Sequence, residues 1–430
     1  MSQANASTTP HIVSRSAHSV SREDISDQAL KVLYRLHSAG YAAYLVGGGV
    51  RDLLLGLKPK DFDVATDAHP EHVKELFRNC RLIGRRFRLA HIHFGREIVE
   101  VATFRAQHSE DSDEQQALMR DGMIVRDNVY GSLEEDAWRR DFTINALYYN
   151  IADFSLVDYT GGLEDIKARR LRLIGDPATR IQEDPVRILR AVRFAAKLDF
   201  DFEPELEQQI QHNKQRIEAV SPARLFDEVL KLFLTGHAKR TFEQLRRHGL
   251  LELLFGATSR MLNADDEALQ RFVEQALHNT DERIEQGKPV TPAFLFSAML
   301  WGPVRERAAH LESEGMSRIQ AMQEAGHTVI AEAIEQVAIP KRFRLPMREI
   351  WASQVRLGQR RGKKALWLLT HPRFRAAYDF MLLRHQAGEP DLAELCQWWT
   401  ELQETDEAGR KTMVEQLRGG RAPRRRRRKS

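Results

Sequence analysis

The 430-residue chain has only two cysteines, Cys80 and Cys396. They lie far apart and have no partners at metal-ligand spacing, which excludes a disulfide framework and a structural zinc site. No run approaches the roughly 18 apolar residues that a membrane span needs. The opening stretch, MSQANASTTPHIVSRSAHSVSRED, lacks the apolar core of a secretory signal. The cytoplasm is therefore the expected compartment. A large excess of one sign of charge is missing too. The formal net charge is +4, but the last ten residues, RAPRRRRRKS, carry seven positive charges and no negative one. Removing them leaves −3 on residues 1–420, so the folded part is not globally basic. Such a tail suits a polyanion through counterion release, and it reads equally well as a disordered, solvated end.

The length allows about three ordinary domains. A hydrophobic content of 42% beside 29% charged residues describes a soluble globular protein. Residues 1–22, rich in Ser, Thr and Asn, are expected to be unstructured. From there to residue 152, short apolar strands alternate with helical spacing. The pattern predicts helices over 25–37, 50–55 and 72–78, and strands over 41–46, 62–65, 81–84, 89–94 and 98–104. Residues 105–137 are polar and acidic and predict a mobile surface loop. Beyond Arg139 nearly everything has helix-period spacing, with starts such as Asp184-Pro185 and Ser221-Pro222. The expected organisation is an α/β head over 23–152, a helical neck over 153–250 and a helical body over 251–415. A basic tail over 416–430 completes it.

The strongest local signal is Lys60-Asp61-Phe62-Asp63-Val64. On a strand, i and i+2 share a face, so Asp61 and Asp63 converge while Phe62 and Val64 turn inward. Paired carboxylates repel, and a hard divalent cation such as Mg²⁺ relieves that repulsion. A third acid, Glu100, interrupts the apolar strand Ile98-Val99-Glu100-Val101-Ala102, where an unpaired carboxylate is costly. Upstream, Leu45-Val46-Gly47-Gly48-Gly49-Val50-Arg51-Asp52 reads as strand, glycine turn and helix start. Gly47 and Gly48 let backbone N–H groups approach phosphate oxygens, and Arg51 can add positive charge. A lone DxD is usually a solvated turn, and a lone glycine run is usually just a turn. The two together within twenty residues are far more specific.

These blocks resemble the polymerase-β-like nucleotidyltransferase superfamily. Arg139-Arg140-Asp141-Phe142-Thr143-Ile144-Asn145-Ala146-Leu147 resembles the second block of its class II branch, which holds bacterial poly(A) polymerases and CCA-adding tRNA nucleotidyltransferases. Glu183-Asp184-Pro185-Val186-Arg187-Ile188-Leu189-Arg190-Ala191-Val192-Arg193-Phe194 resembles the block that reads the nucleobase. Ser221 to Glu228 resembles the helix that braces it. The resemblance implies a polymerase-β-like head, an all-helical neck and body, and two Mg²⁺ ions (Mn²⁺ as a substitute) on Asp61 and Asp63, with Glu100 as third carboxylate. It places Arg140 and Asn145 against the nucleotide and Asp141 in the active-site network; Asp141 reads equally as the N-cap of a helix starting at Phe142. Asp184 and Arg187 lie at i and i+3. The resemblance has them read the donor and acceptor edge that adenine and cytosine share; otherwise Asp184 merely caps a helix. Arg190 and Arg193 either reach phosphates or lie on a solvated face.

Leu82-Ile83-Gly84-Arg85-Arg86-Phe87-Arg88-Leu89-Ala90-His91-Ile92 resembles a segment typical of the poly(A) polymerases, as does Lys364 to Tyr378. That favours ATP as substrate, RNA 3′ ends of mRNA fragments and small RNAs as acceptors, RNA chaperones and degradation machinery as partners, and a monomer. Arg85, Arg86 and the tail residues Arg424, Arg425, Arg426, Arg427 and Arg428 are candidate RNA contacts. His91 and His93 read as core or surface histidines rather than a metal site. A CCA-adding enzyme is the alternative, and an RNA-binding protein without catalysis is a weaker one, since Asp61 and Asp63 are intact.

Overall fold

The computed structural model describes residues 9–84, 88–106, 117–120, 123–127, 129–360 and 363–417. It divides into two compact units, Met1–Arg216 and Ile217–Ser430.

The first unit is built on an eight-stranded sheet ordered β1-β10-β9-β2-β3-β6-β5-β4. These strands are β1 (His11–Val13), β2 (Ala43–Val46), β3 (Asp63–Thr66), β4 (Cys80–Ile83), β5 (Leu89–Phe94), β6 (Glu97–Thr103), β9 (Leu147–Asn150) and β10 (Leu156–Asp158). A separate hairpin, β7 (Ala117–Arg120) and β8 (Met123–Asp127), lies between β6 and β9 in the chain. Every neighbouring pair of the large sheet is antiparallel except β3 and β6, which run parallel. Helix α1 (Asp27–Ser38) is capped by Ser26, whose side chain accepts from the Ala29 N–H, and it buries the stripe Ala29, Val32, Leu33, Leu36. That stripe packs on β2, β3 and β6. Helix α2 (Gly48–Leu54) follows β2 directly, and α3 (Pro70–Leu76) leads from β3 toward β4.

Three expectations need correction. Residues 1–22 are not all unstructured: β1 pairs with β10 at the sheet edge, and Val20 is buried. The 105–137 segment is not simply a loop. It contains the β7–β8 hairpin and α4 (Leu133–Arg139), the latter started by a capping box between Ser132 and Glu135. The head does not stop at 152, because β10 completes its sheet and the first unit runs on to Arg216 through α5 (Gly162–Lys167), α6 (Pro177–Glu183), α7 (Val186–Leu198) and α8 (Pro204–Asn213). The polar composition of the first two segments hid elements that are short and held by their neighbours rather than by propensity.

Among the described residues, the second unit holds twelve α-helices, from α9 (Pro222–Phe233) to α20 (Glu407–Gln416), and no strand. Its interior is aromatic. Trp351 and Trp399 are fully buried, and each satisfies its indole N–H on a backbone oxygen, Ser297 at 3.1 Å and Leu357 at 3.0 Å. No described helix is long and apolar enough to cross a membrane.

Candidate active site

The parallel β3–β6 pair puts Asp63 opposite Glu100, and antiparallel β5 puts His91 opposite Glu100 on its other side. In the other direction Asp63 faces Val46, and Val46 faces Tyr148. Side chains in register across a sheet share a face, so one row reads His91, Glu100, Asp63, Val46, Tyr148. Asp61 precedes β3, and its backbone oxygen lies 3.5 Å from where a Cβ on Gly49 would stand. The start of α2 thus lies in contact with the acidic segment.

Solvent reaches Asp63, yet protein surrounds it on most sides. Its carboxyl is pushed up to about 6, first by that burial and next by Glu100. Asp61 adds to the repulsion, while Arg140 and His91 oppose it. Crowded hard oxygen donors that resist joint ionisation are the donor set a divalent cation takes, so Asp61, Asp63 and Glu100 fit one. As the side chains stand, no three potential ligands among the described residues converge on a single point. His91 Nε2 lies 3.1 Å from Glu100 Oε2. The sequence reads this histidine as a core or surface one; the alternation of β5 against β6 is the signal that would pair it with Glu100.

Gly47 has φ +73°, a conformation that favours glycine, and it leads straight into α2. Gly48 stands beside Arg51: a Cβ there would lie 3.4 Å from Arg51 Nη2. Arg51, expected to add positive charge beside phosphate, makes its hydrogen bonds inside the protein. The residue is 2% exposed; its guanidinium donates to Asp52 Oδ1 from Nε at 2.9 Å and Nη2 at 2.7 Å, and to Asn145 Oδ1 from Nη1. Lys197 from α7 closes on the other oxygen of Asp52 at 2.8 Å. Arg51 is thus an internal brace between α2 and the turn holding Asn145.

That turn is a single 3-10 turn, Thr143–Asn145, with Phe142 in the cap position. Asp141 therefore does not cap a helix starting at Phe142. Its Oδ1 accepts from the Phe142 N–H at 2.9 Å and from Asn145 Nδ2 at 3.2 Å, while its Oδ2 accepts from Arg190 Nε at 2.7 Å and from Arg190 Nη2. Burial alone would raise the Asp141 carboxyl, but Arg190, Asn145 and the Phe142 N–H outweigh it and hold it at about 2. Arg190 is therefore tied to Asp141 from α7. Arg51, Arg190 and Arg193 all lie over the Phe194 ring, at 5.1, 5.6 and 5.0 Å.

Asp184 ends α6, and its Oδ1 accepts from the Val186 N–H at 3.3 Å, so it does serve the start of α7. Arg187 is held by Glu183 Oε2 at 2.9 Å and by the backbone oxygen of Arg180. Arg180 in turn donates to Glu183 at 2.8 Å and to the backbone oxygens of Arg139 and Arg140, both at 2.7 Å. This links the 183–187 block to the 139–145 block. Arg85, Arg86 and Arg424 to Arg428 lie outside the described residues.

Three family models match the chain: Poly A polymerase head domain over residues 43–172, Probable RNA and SrmB-binding site of polymerase A over 199–262, and Polymerase A arginine-rich C-terminus over 314–430. Poly(A) polymerase I of Salmonella typhimurium is 51% identical over 425 residues, 97% of this chain and 91% of that protein. A CCA-adding enzyme of Lactobacillus helveticus is 39% identical over only 51% of this chain. In three dimensions the chain is similar to the Bacillus stearothermophilus CCA-adding enzyme in complex with CTP, with a TM-score of 0.58, 24% identity, and coverage of 92% of this chain and 88% of that one. That likeness shows a shared fold, while the near full-length identity separates the two branches: the chain belongs to the bacterial poly(A) polymerase I family.

Proposed function

We propose that the protein extends RNA 3′ ends with adenylate taken from ATP, releasing pyrophosphate. The observation that carries this reading is the 51% identity to poly(A) polymerase I over nearly the whole chain, joined to the Asp63–Glu100 pairing on adjacent strands. In the reaction the RNA 3′-hydroxyl oxygen forms a bond to the α-phosphorus, and the bond from that phosphorus to the departing pyrophosphate oxygen breaks. Positioning and charge neutralisation supply most of the catalysis in such transfers. Asp61 and Asp63, with Glu100, would hold the divalent ions, whose chemistry is to acidify the hydroxyl and neutralise the leaving group. The chain's own residues do the orienting. Gly47 permits close backbone approach, Arg140 brings positive charge beside Asp63, and Asn145 is fixed between Arg51 and Asp141. Asp184 and Arg187 offer one acceptor and one donor to the base edge that adenine and cytosine share, so UTP and GTP are rejected there. Preference for ATP over CTP then rests on the shape of the surrounding pocket.

The test incubates the protein with Mg²⁺, an unstructured RNA and each nucleotide separately, followed by ATP and CTP together on a tRNA lacking its 3′ end. Long A tails are expected, with CTP a poor substrate. A product that stops after C, C and A would overturn the reading in favour of a CCA-adding enzyme.

A further inference from the structure

One guanidinium of the site is gripped on one side and open on the other. Arg140 Nε donates to Asp136 Oδ2 at 3.1 Å and to the Tyr148 hydroxyl oxygen at 2.9 Å, and Nη2 donates to the same carboxylate oxygen at 3.0 Å. The Tyr148 hydroxyl donates its proton to that oxygen as well, at 2.7 Å. The other oxygen of Asp136 accepts from the Arg105 N–H at 3.3 Å, which ties the clamp to the chain just past β6. Burial would raise the Asp136 carboxyl, but Arg140 and the Tyr148 hydroxyl overcome it and keep it ionised, while burial holds the Tyr148 phenol protonated. Each hydrogen bond in the clamp thus has one direction.

Arg140 Nη1 takes no part in the clamp. It lies 3.6 Å from where a Cβ on Gly47 would stand, over the turn that precedes α2, and the Arg140 charge acts on Asp63. Tyr148 belongs to the same cross-strand row as Asp63, with Val46 between them. The sheet that presents the carboxylates therefore also anchors the phenol that holds the arginine. A guanidinium fixed at Nε and Nη2 presents Nη1 with little rotamer freedom left to lose on binding.

We propose that Asp136 and Tyr148 are positioning residues that aim Nη1 of Arg140, across the Gly47 turn, at the β- and γ-phosphates of the incoming nucleotide. The inference rests on the polyadenylation reading. Tyr148→Phe removes one hydroxyl and keeps the ring, and Asp136→Asn keeps the shape and removes the charge. Binding of ATP and of AMP to the full chain is measured by calorimetry with Mg²⁺ and without RNA, and KM and kcat are measured with RNA. Each variant is expected to weaken ATP binding about five- to tenfold, the scale of one hydrogen bond to a charged group, and to leave AMP binding unchanged. KM for ATP should rise more than kcat falls. A purely structural role would weaken ATP and AMP alike. Asp136→Asn keeps the test decisive should Tyr148→Phe not fold, as thermal melting will show. Equal losses for ATP and AMP, or no loss in either folded variant, would overturn the clamp while wild-type tailing leaves the function standing. Failure of the wild type to bind ATP would overturn both.

Discussion

Replacing Asp141 by Asn tests whether this carboxylate stabilises the first unit through its charge. Its carboxyl sits at about 2 against an ordinary 3.8, with the side chain 14% exposed and its partner Arg190 32% exposed. A shift of almost two units corresponds to about 2 kcal/mol at neutral pH, since each unit is worth ~1.4 kcal/mol. The sign follows from the direction. A depressed acid stabilises the folded state above its unfolded pKa, and the contribution disappears as pH falls through 3.8 toward 2. The pH-dependent part of the wild type's advantage over Asp141→Asn should therefore be about 2 kcal/mol at pH 7 and about half of that near pH 3. Trp138 is the single tryptophan of residues 1–216. The ¹⁹F signal of 5-fluorotryptophan at that position, followed through urea unfolding at several pH values, reads this unit alone. Exchanging the carboxylate for an amide also alters the bonds from Arg190, Asn145 and the Phe142 N–H, which adds a pH-independent offset to the gap. A gap that stays constant between pH 7 and pH 3 would refute the ion-pair account.

Other outcomes follow from the same geometry. Asp61→Ala and Asp63→Ala should each abolish AMP incorporation with no drop in melting temperature in chelator, because either change relieves the repulsion that Asp61 and Glu100 exert on Asp63; near-normal turnover would end the metal assignment. Asp184→Ala should erode discrimination among the four nucleotides more than it slows ATP incorporation, and Arg187→Ala should impair both, measured as kcat/KM for each nucleotide. Removing residues 421–430 should weaken RNA binding and make its salt dependence shallower, since fewer phosphate contacts release counterions. An unchanged slope in a fluorescence-anisotropy titration would mean that the tail does not touch RNA.

Much of the sheet was legible because alternation and glycine turns are local. The 89–94 strand has its expected ends, Asp63 stands out through its spacing from Asp61, and Glu100 as an acid in an apolar strand. What stayed hidden depends on how neighbouring elements fold back on each other. His91 meets Glu100 only through the β5–β6 register, and Tyr148 meets Asp136 and Arg140 only where β9 returns beside α4. The bond from Arg51 to Asn145 is of the same kind, since nothing beside the glycine turn announces a partner that far along the chain. Residues 9–20 were missed because a three-residue edge strand has no periodicity to detect; only its partner β10 defines it.

The parallel β3–β6 pair has a consequence for what changes the protein can tolerate. Asp63 and Glu100 meet only because two strands separated by α3, β4 and β5 stop at one shared register. Strand faces alternate, so one residue inserted inside β6 ahead of Glu100 would turn that carboxylate to the opposite face. The same insertion in the stretch between β6 and α4 would leave the acids where they are. The chemistry of this head is therefore insured by counting along strands. Length is frozen within β6, while the acids themselves set no such limit on the stretch between β6 and α4.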